Sequence, residues 1–130
     1  MLLKIVTSEK LIFEGEVKEL SISTDLGQVT ILKDHLPLFA KLKPSILSFV
    51  EHNKTSKIVV NTGFLEMENN QINIMTSQVV SEEDEIDSAS NQNELKNIYN
   101  TLGNEGYSND NIEELLALKD YLEAIIELKS

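Results

Sequence analysis

The chain has 130 residues, 22 acidic against 11 basic side chains, and a formal net charge of −11. This acidic surface disfavours unaided binding to nucleic acid or anionic lipid. The sequence has no cysteine, which excludes a disulfide scaffold, a thiol nucleophile and a cysteine-ligated zinc site. No apolar run approaches the roughly 20 residues of a membrane-spanning helix, so we expect a soluble chain that does not insert into the bilayer.

Short β-type runs occupy residues 1–80, where 8 lysines nearly balance 9 acidic residues. Apolar and polar residues alternate within them, as at Ile72 and Ile74, so one face of the sheet is expected to be buried. Asn69-Asn70 predicts a tight hairpin between two of the runs. Their regular spacing predicts an antiparallel β-sandwich or small barrel. The runs lie at 2–7, 11–13, 17–24, 29–32, 46–50, 57–61, 64–68 and 71–76.

Residues 81–130 carry 3 lysines against 13 acids, and their apolar period changes from two to about 3.6. A first helix can end at Gly103, and Asp110 followed by Glu113 is typical of a capping box that opens a second helix. The second helix has so wide an apolar face that it needs more than one surface to pack on. We therefore expect an α+β protein: a β-sandwich domain at 1–80 and an antiparallel two-helix hairpin domain at 81–130. The apolar face of the first helix comprises Leu95, Ile98, Tyr99 and Leu102.

Few groups in the sequence could carry chemistry. His35 is expected to be a capping or hydrogen-bonded loop histidine and His52 a solvated turn residue, since neither has a partner at the spacing of a helical zinc motif. Glu66 and Glu68 lie on the same face of a strand and are candidates for a pair of catalytic carboxylates. The favoured interpretation is a solvated strand face without catalytic function. The acidic run at 82–87 lacks the features of a calcium loop and is expected to start a helix. We predict no catalytic residue, metal site or cofactor.

Several segments in order along residues 1–80 resemble the epsilon subunits of the ATP synthase catalytic sector. The resemblance implies a flattened antiparallel β-sandwich followed by a helix hairpin, the same architecture as the one expected from periodicity. It also implies a non-catalytic subunit. The segments are LKIVTSEK at 3–10, FEGEV at 13–17, LGQVTILKDHLPL at 26–38, LKP at 42–44 and TGFLEM at 62–67.

The resemblance further implies a central-stalk subunit that links the gamma subunit to the c-ring and passes torque during proton-driven ATP synthesis. The loop at 27–38 would face the c-ring, with Gly27, Gln28 and His35 as partner contacts, and the apolar side of the sandwich left uncovered by the hairpin would lie against gamma. The hairpin could contact the alpha and beta subunits and regulate ATP hydrolysis. The implied location is the cytoplasmic face of the bacterial inner membrane, as a peripheral subunit, or its plastid equivalent.

Some residues depart from the pattern of these subunits. Thr30, Lys33 and Ser45 replace a Gly, a Pro and a Gly that are usual there. Many bacterial members carry an Ile-Asp-x-x-Arg-Ala stretch that helps bind regulatory ATP, and the corresponding stretch at 86–91 has Ser90 in place of the Arg. Because residues 81–130 are also strongly anionic, we expect weak or no ATP binding by this chain.

A second interpretation, from a different class, is a free-standing β-sandwich adaptor. Its acidic hairpin would mediate oligomerisation or dock a basic partner. Self-association without affinity for a rotary ATPase would favour that interpretation over a central-stalk subunit.

Overall fold

The computed structural model describes residues 1–81, 88–102 and 109–129, without side-chain detail at 88–89, 101–102 and 109–112. This part of the chain forms ten strands followed by two helices. Neither helix is long and apolar enough to cross a membrane. The strands are β1 (Leu2–Val6), β2 (Leu11–Glu16), β3 (Glu19–Thr24), β4 (Gly27–Leu32), β5 (Leu38–Leu42), β6 (Ser45–Glu51), β7 (Lys54–Val60), β8 (Gly63–Glu68), β9 (Gln71–Thr76) and β10 (Val79–Ser81), and the helices are α1 (Ser88–Leu102) and α2 (Asn109–Lys129).

The strands pair in the order β10-β7-β6-β3-β5-β8-β9-β1-β2, and β4 pairs with the other edge of β3. The contact between β3 and β5 is a single pair, Thr24 with Leu42. The sheet is therefore divided into two five-stranded layers. Layer one has the order β4-β3-β6-β7-β10, and layer two has the order β5-β8-β9-β1-β2. This arrangement confirms the predicted β-sandwich followed by a helix hairpin.

One pair among the described strands, β1 with β9, is parallel, and Leu2 lies opposite Gln71. The sandwich is thus mixed at this position, where the sequence predicts antiparallel strands throughout. Side chains alternate between the two faces of a strand whichever way its partner runs. The direction of this pair is therefore not readable from the apolar pattern of β1.

Two of the strands were not expected from the sequence. In β5 the residues at 38–42 alternate between inside and outside, but the outward position next to Leu38 is the apolar Phe39, which masks the pattern. The strand β10 has only three residues and pairs with β7 alone in the described part of the chain. The Asn69-Asn70 hairpin is confirmed, with φ of 52° and 58° as a type I′ turn requires.

The interior of the sandwich is a continuous apolar core contributed by both layers. Strand β7 also contributes to a second cluster, on the outer side of layer one. Val60 belongs to the core between the layers, whereas its neighbour Val59 packs against Tyr121, Ala124 and Ile125 of α2. The core residues are Leu3, Ile5, Val17, Leu20, Ile22, Ile31, Leu42, Leu47, Phe49, Val60, Leu65, Met67, Ile72 and Ile74.

The hairpin is attached to the sandwich through its second helix. Helix α2 contacts β6 and β7 as well as α1, which confirms that its wide apolar face needs more than one surface. The described part of helix α1 ends at Leu102, directly before Gly103, the residue expected to end it. Helix α2 begins at Asn109, one residue before the expected cap, Asp110. The side-chain contacts of that capping box and the acidic run at 82–87 lie outside the described residues.

Candidate functional site

The segment that the resemblance treats as a loop, residues 27–38, is a strand, as the run at 29–32 predicts, followed by a turn. Gly27 begins β4 with a φ of 108°, a left-handed conformation that favours glycine. Gln28 follows it in the strand, and its Oε1 accepts a hydrogen bond of 2.8 Å from Ser23 Oγ. His35 lies beyond the far end of β4. The strand from Gln28 to that end, at Leu32, measures about 13 Å at the usual rise per residue. Gln28 and His35 therefore lie near opposite ends of the edge strand β4.

Hydrogen bonds fix the turn that contains His35. The backbone N–H of His35 donates to the Leu32 carbonyl at 3.1 Å, and its Nδ1 lies 2.7 Å from the Leu36 carbonyl oxygen. The Asp34 amide donates to Asn70 Oδ1 at 2.7 Å, and Asn70 Nδ2 donates back to Asp34 Oδ1 at 2.9 Å. His35 is thus the hydrogen-bonded loop histidine that the sequence predicts. The turn holds Leu36, which is 78% exposed, at one end of the sandwich.

The outer face of layer two carries an apolar patch made of Val6, Leu11, Phe39, Phe64 and Met75. Cross-strand pairs connect Phe64 to Met75, Met75 to Val6, and Val6 to Leu11. The Phe39 ring stacks on Phe64, with centroids 5.6 Å apart and an angle of 24° between the planes. Four of these side chains, all but Val6, are large and exposed. A contiguous exposed apolar surface of this kind is typical of a protein interface.

The outer face of layer one is covered by α2. Tyr121, Ala124 and Ile125 of the helix pack on Val59, and Ile46, Val80 and Leu128 border the contact. Away from the helix this face is rich in hydroxyl groups, with Ser21 and Thr30 3.0 Å apart. The hairpin therefore occupies one outer face of the sandwich and leaves the apolar patch on the other face uncovered, as the sequence analysis expected.

A polar contact connects the two helices of the hairpin. The Tyr99 hydroxyl of α1 donates to the Glu123 carboxylate of α2, and this bond raises the pKa of the Tyr99 phenol above 10.0. Lys119 forms an ion pair of 3.6 Å with Glu123, and its Nζ lies 5.7 Å from the centre of the Tyr99 ring. These exposed contacts help to set the orientation of α1 on α2, together with the buried side chain of Ile98.

A cavity of about 390 Å³ lies between α2 and one end of the sandwich, and it is a candidate site for a nucleotide. Asp120, Glu123 and Glu127 line its helix side, and Lys43 is the one basic residue among its lining groups. Three carboxylates repel the oxygens of a triphosphate, which require cationic donors. The exposed Ser90, in place of the Arg, adds no positive charge. These residues do not fit ATP.

The remaining chemical candidates are surface residues. Glu66 and Glu68 are both exposed on the outer face of layer two, where water solvates their carboxylates. His52 is exposed in the β6–β7 turn, as expected. Within the described part of the chain, no three His, Cys, Asp or Glu side chains are grouped as a metal site requires. The geometry is that of an interaction module: a two-layer sandwich with one outer face covered by its own hairpin and an exposed apolar patch on the other.

Residues 1–82 match the family model described as "ATP synthase, Delta/Epsilon chain, beta-sandwich domain". The match covers more than half of the chain, which therefore belongs to this family. The chain is 34% identical over 87 residues to the ATP synthase epsilon chain of Chloroflexus aggregans, a match that covers 67% of this chain and 62% of the relative. It is 27% identical over 121 residues to the epsilon chain of Afipia carboxidovorans, covering 93% and 88%. The first of these matches spans less than two thirds of the relative's length.

Two solved structures show the same fold. A chain of the Euglena gracilis mitochondrial ATP synthase, in a structure of OSCP, F1 and the c-ring, superposes with a TM-score of 0.79 at 21% identity, covering 95% of this chain and 77% of that one. A chain from the central stalk and c-ring structure of the Tetrahymena thermophila mitochondrial ATP synthase gives 0.64 at 11% identity, covering 99% and 96%. At these identities the likeness establishes the fold.

Proposed function

We propose that the chain is a non-catalytic central-stalk subunit of an ATP synthase that links the gamma subunit to the c-ring for torque transmission. The observation that carries this proposal is the uncovered apolar patch on a sandwich that belongs to the ATP synthase Delta/Epsilon family. A subunit that joins two others needs a stiff body and two separate contact surfaces. It needs no reactive group.

The apolar patch is the proposed contact with gamma. The aromatic rings and Met75 of the patch provide apolar surface that docking would remove from water. The stacking of Phe39 on Phe64 already fixes the orientation of these two rings. The patch lies on the face opposite the hairpin, so gamma can dock while α2 stays on layer one. Because every contributing strand belongs to residues 1–80, we propose that this part forms the rotor-binding domain and residues 81–130 a separate hairpin domain.

The edge strand β4 and the turn after it are the proposed contact with the c-ring. Gly27 and Gln28 would contribute at the start of the strand, and His35 at the turn. The Asp34–Asn70 hydrogen bonds support this role because they tie the turn to the β8–β9 hairpin and prevent it from yielding under load. Polar loops on the c-ring would meet a border of polar side chains interrupted by the exposed Leu32 and Leu36.

The hairpin is the proposed regulatory part, in contact with the alpha and beta subunits. The carboxylates of Asp120, Glu123 and Glu127 argue that it works without bound ATP. Like charges on acidic loops of a catalytic subunit would also oppose its extension, although salt weakens that repulsion. We propose a weak regulatory effect in this chain.

The proposed location is the cytoplasmic face of a bacterial inner membrane, held there peripherally through the c-ring. The plastid equivalent is the alternative location, because the chloroplastic epsilon chain of Bigelowiella natans is 33% identical over 82 residues. In either compartment the chain would reach the membrane through protein contacts.

Co-purification with gamma tests the proposal. The tagged full-length chain is mixed with gamma from the same source, with an unrelated acidic β-sandwich protein as the control. Stoichiometric recovery of gamma, and of the c-ring when the complete rotor is supplied, is the expected result. Self-association at the same protein concentration with no recovery of gamma would replace the proposal with the free-standing adaptor.

A further inference from the structure

A cavity of about 660 Å³ lies at the end of the sandwich where β1 begins. It belongs neither to the apolar patch nor to the hairpin. Three basic side chains line it and form what we name the basic cluster: Lys18, Lys33 and His52. The chain has half as many lysines as acidic residues and a net charge of −11. Three basic side chains around one cavity are therefore a local exception to the charge of the surface.

The backbone brings two of these lysines together. The antiparallel register of β3 and β4 pairs Glu19 with Leu32, and Lys18 and Lys33 are the residues that directly precede β3 and follow β4. Two ammonium groups held close together repel each other, and an anion bound between them would offset that repulsion. Lys18 is also held in place, because its Nζ donates a 3.0 Å hydrogen bond to Asn53 Oδ1 in the β6–β7 turn. Neither lysine is in an ion pair with a described carboxylate.

The carboxylates near this end are directed to groups other than the basic cluster. Glu16 borders the cavity, but its side chain is 76% exposed and its Oε2 lies 3.2 Å from the Met1 nitrogen. The Asp34 carboxylate accepts a hydrogen bond from the Asn70 side-chain amide. Glu51 extends to β2, where its Oε2 would lie 2.9 Å from a Cβ at Gly15. The basic cluster thus keeps its positive charge available to an outside ligand.

We propose that this cavity binds a phosphate group, through the ammonium groups of Lys18 and Lys33 and the imidazole of His52. Lysine is a common phosphate ligand because its compact charge needs no fixed geometry, and several such donors can surround one phosphate. The cavity is roomy enough for a phosphate or diphosphate and for part of the molecule that carries it. The phosphate can come from a lipid headgroup or from a free phosphate compound, since both present the same oxygens. This site is separate from the apolar patch proposed for gamma, whereas Lys33 also belongs to the turn that is proposed to contact the c-ring.

The test uses the full-length protein and two probes. Inorganic pyrophosphate is titrated while amide chemical shifts are recorded, and vesicles of phosphatidylglycerol with phosphatidylcholine are compared with pure phosphatidylcholine vesicles in a flotation assay. The variant is K18Q/K33Q. Its matched control is K4Q/K41Q, which removes the same charge from exposed strand positions on layer two. Thermal melting establishes that both variants fold.

The expected result is a set of pyrophosphate shifts confined to the residues around the cavity, with affinity at least about tenfold lower in K18Q/K33Q and unchanged in K4Q/K41Q. Flotation with phosphatidylglycerol that K18Q/K33Q abolishes and K4Q/K41Q retains would assign the phosphate to lipid. Pyrophosphate binding without flotation would assign it to a free compound. Absence of binding to both probes, or equal losses in the two double variants, would overturn the proposal.

Discussion

Replacing Phe39 with alanine tests the apolar patch directly. The Phe39 ring is 64% exposed and its main ring contact is Phe64, so the substitution removes surface that the isolated chain leaves in water. The side chain lies outside both buried clusters. A loss of binding to gamma can therefore be separated from a loss of folding.

The magnitude follows from the area that remains exposed. Fully burying a phenylalanine side chain contributes about 1.5–3 kcal/mol, and docking of gamma would bury roughly the two thirds that is still accessible. The expected cost in binding is about 1–2 kcal/mol, which corresponds to a roughly five- to thirtyfold weaker affinity. In the isolated chain the lost stacking on Phe64 lowers the free energy of unfolding by about 1 kcal/mol.

Titration calorimetry with purified gamma measures the affinity, and urea denaturation measures the stability. Leu26→Ala is the matched control, because Leu26 is 71% exposed but lies at the β3–β4 turn, away from the patch. Gamma is expected to bind this control as tightly as the parent chain. Equal affinities for Phe39→Ala and the parent would refute the assignment of the patch to gamma.

Four further predictions follow from the structure. A shortened chain of residues 1–82, once shown to fold by circular dichroism, is expected to retain binding to gamma and the c-ring, and a folded chain that fails to bind would contradict the domain division. His35→Glu is expected to weaken coupling of proton flow to ATP synthesis in membrane vesicles while the melting temperature changes little, because its turn is at the surface; a large drop in melting temperature would make His35 structural. Titration calorimetry is expected to detect no micromolar ATP affinity, and deletion of 81–130 to change hydrolysis by the assembled enzyme little; marked activation would overturn that view. The Tyr99–Glu123 bond is expected to stabilise the fold below pH 10.0 and to lose its contribution as the pH rises through the raised pKa of Tyr99; an unchanged tyrosine titration in Glu123→Gln would argue against it.

The strands and helices were largely predictable because their apolar residues repeat with the period of the local structure. Every expected run overlaps a strand, and the described parts of the two helices end and begin within a residue of Gly103 and Asp110. The exceptions have physical causes. In β5 the outward-facing Phe39 is part of the apolar patch. The strand therefore lacks the usual alternation of apolar and polar residues at the place where gamma is proposed to dock.

The candidate sites were less predictable because they combine residues that are distant in the sequence. The patch requires the pairing of β1 with β9, and the basic cluster requires three separate segments to meet at one end. The resemblance to epsilon subunits indicated Gln28 and His35, and the run at 29–32 predicted most of the strand between them, but that this strand lies at the edge of a layer became visible only in the structure. Local patterns carry little information about which strands become neighbours.

The parallel pairing of β1 with β9 has a consequence for biosynthesis. The β1–β2 hairpin can form as soon as it leaves the ribosome, but the second edge of β1 must wait for residues 71–76, near the end of the sandwich. Layer two is therefore completed late, after layer one has all of its strands except β10. Closure across so much of the chain slows folding, and an unpaired β1 edge is open to pairing with other nascent chains in the meantime. Chaperone demand should thus fall most heavily on the first strand that is made.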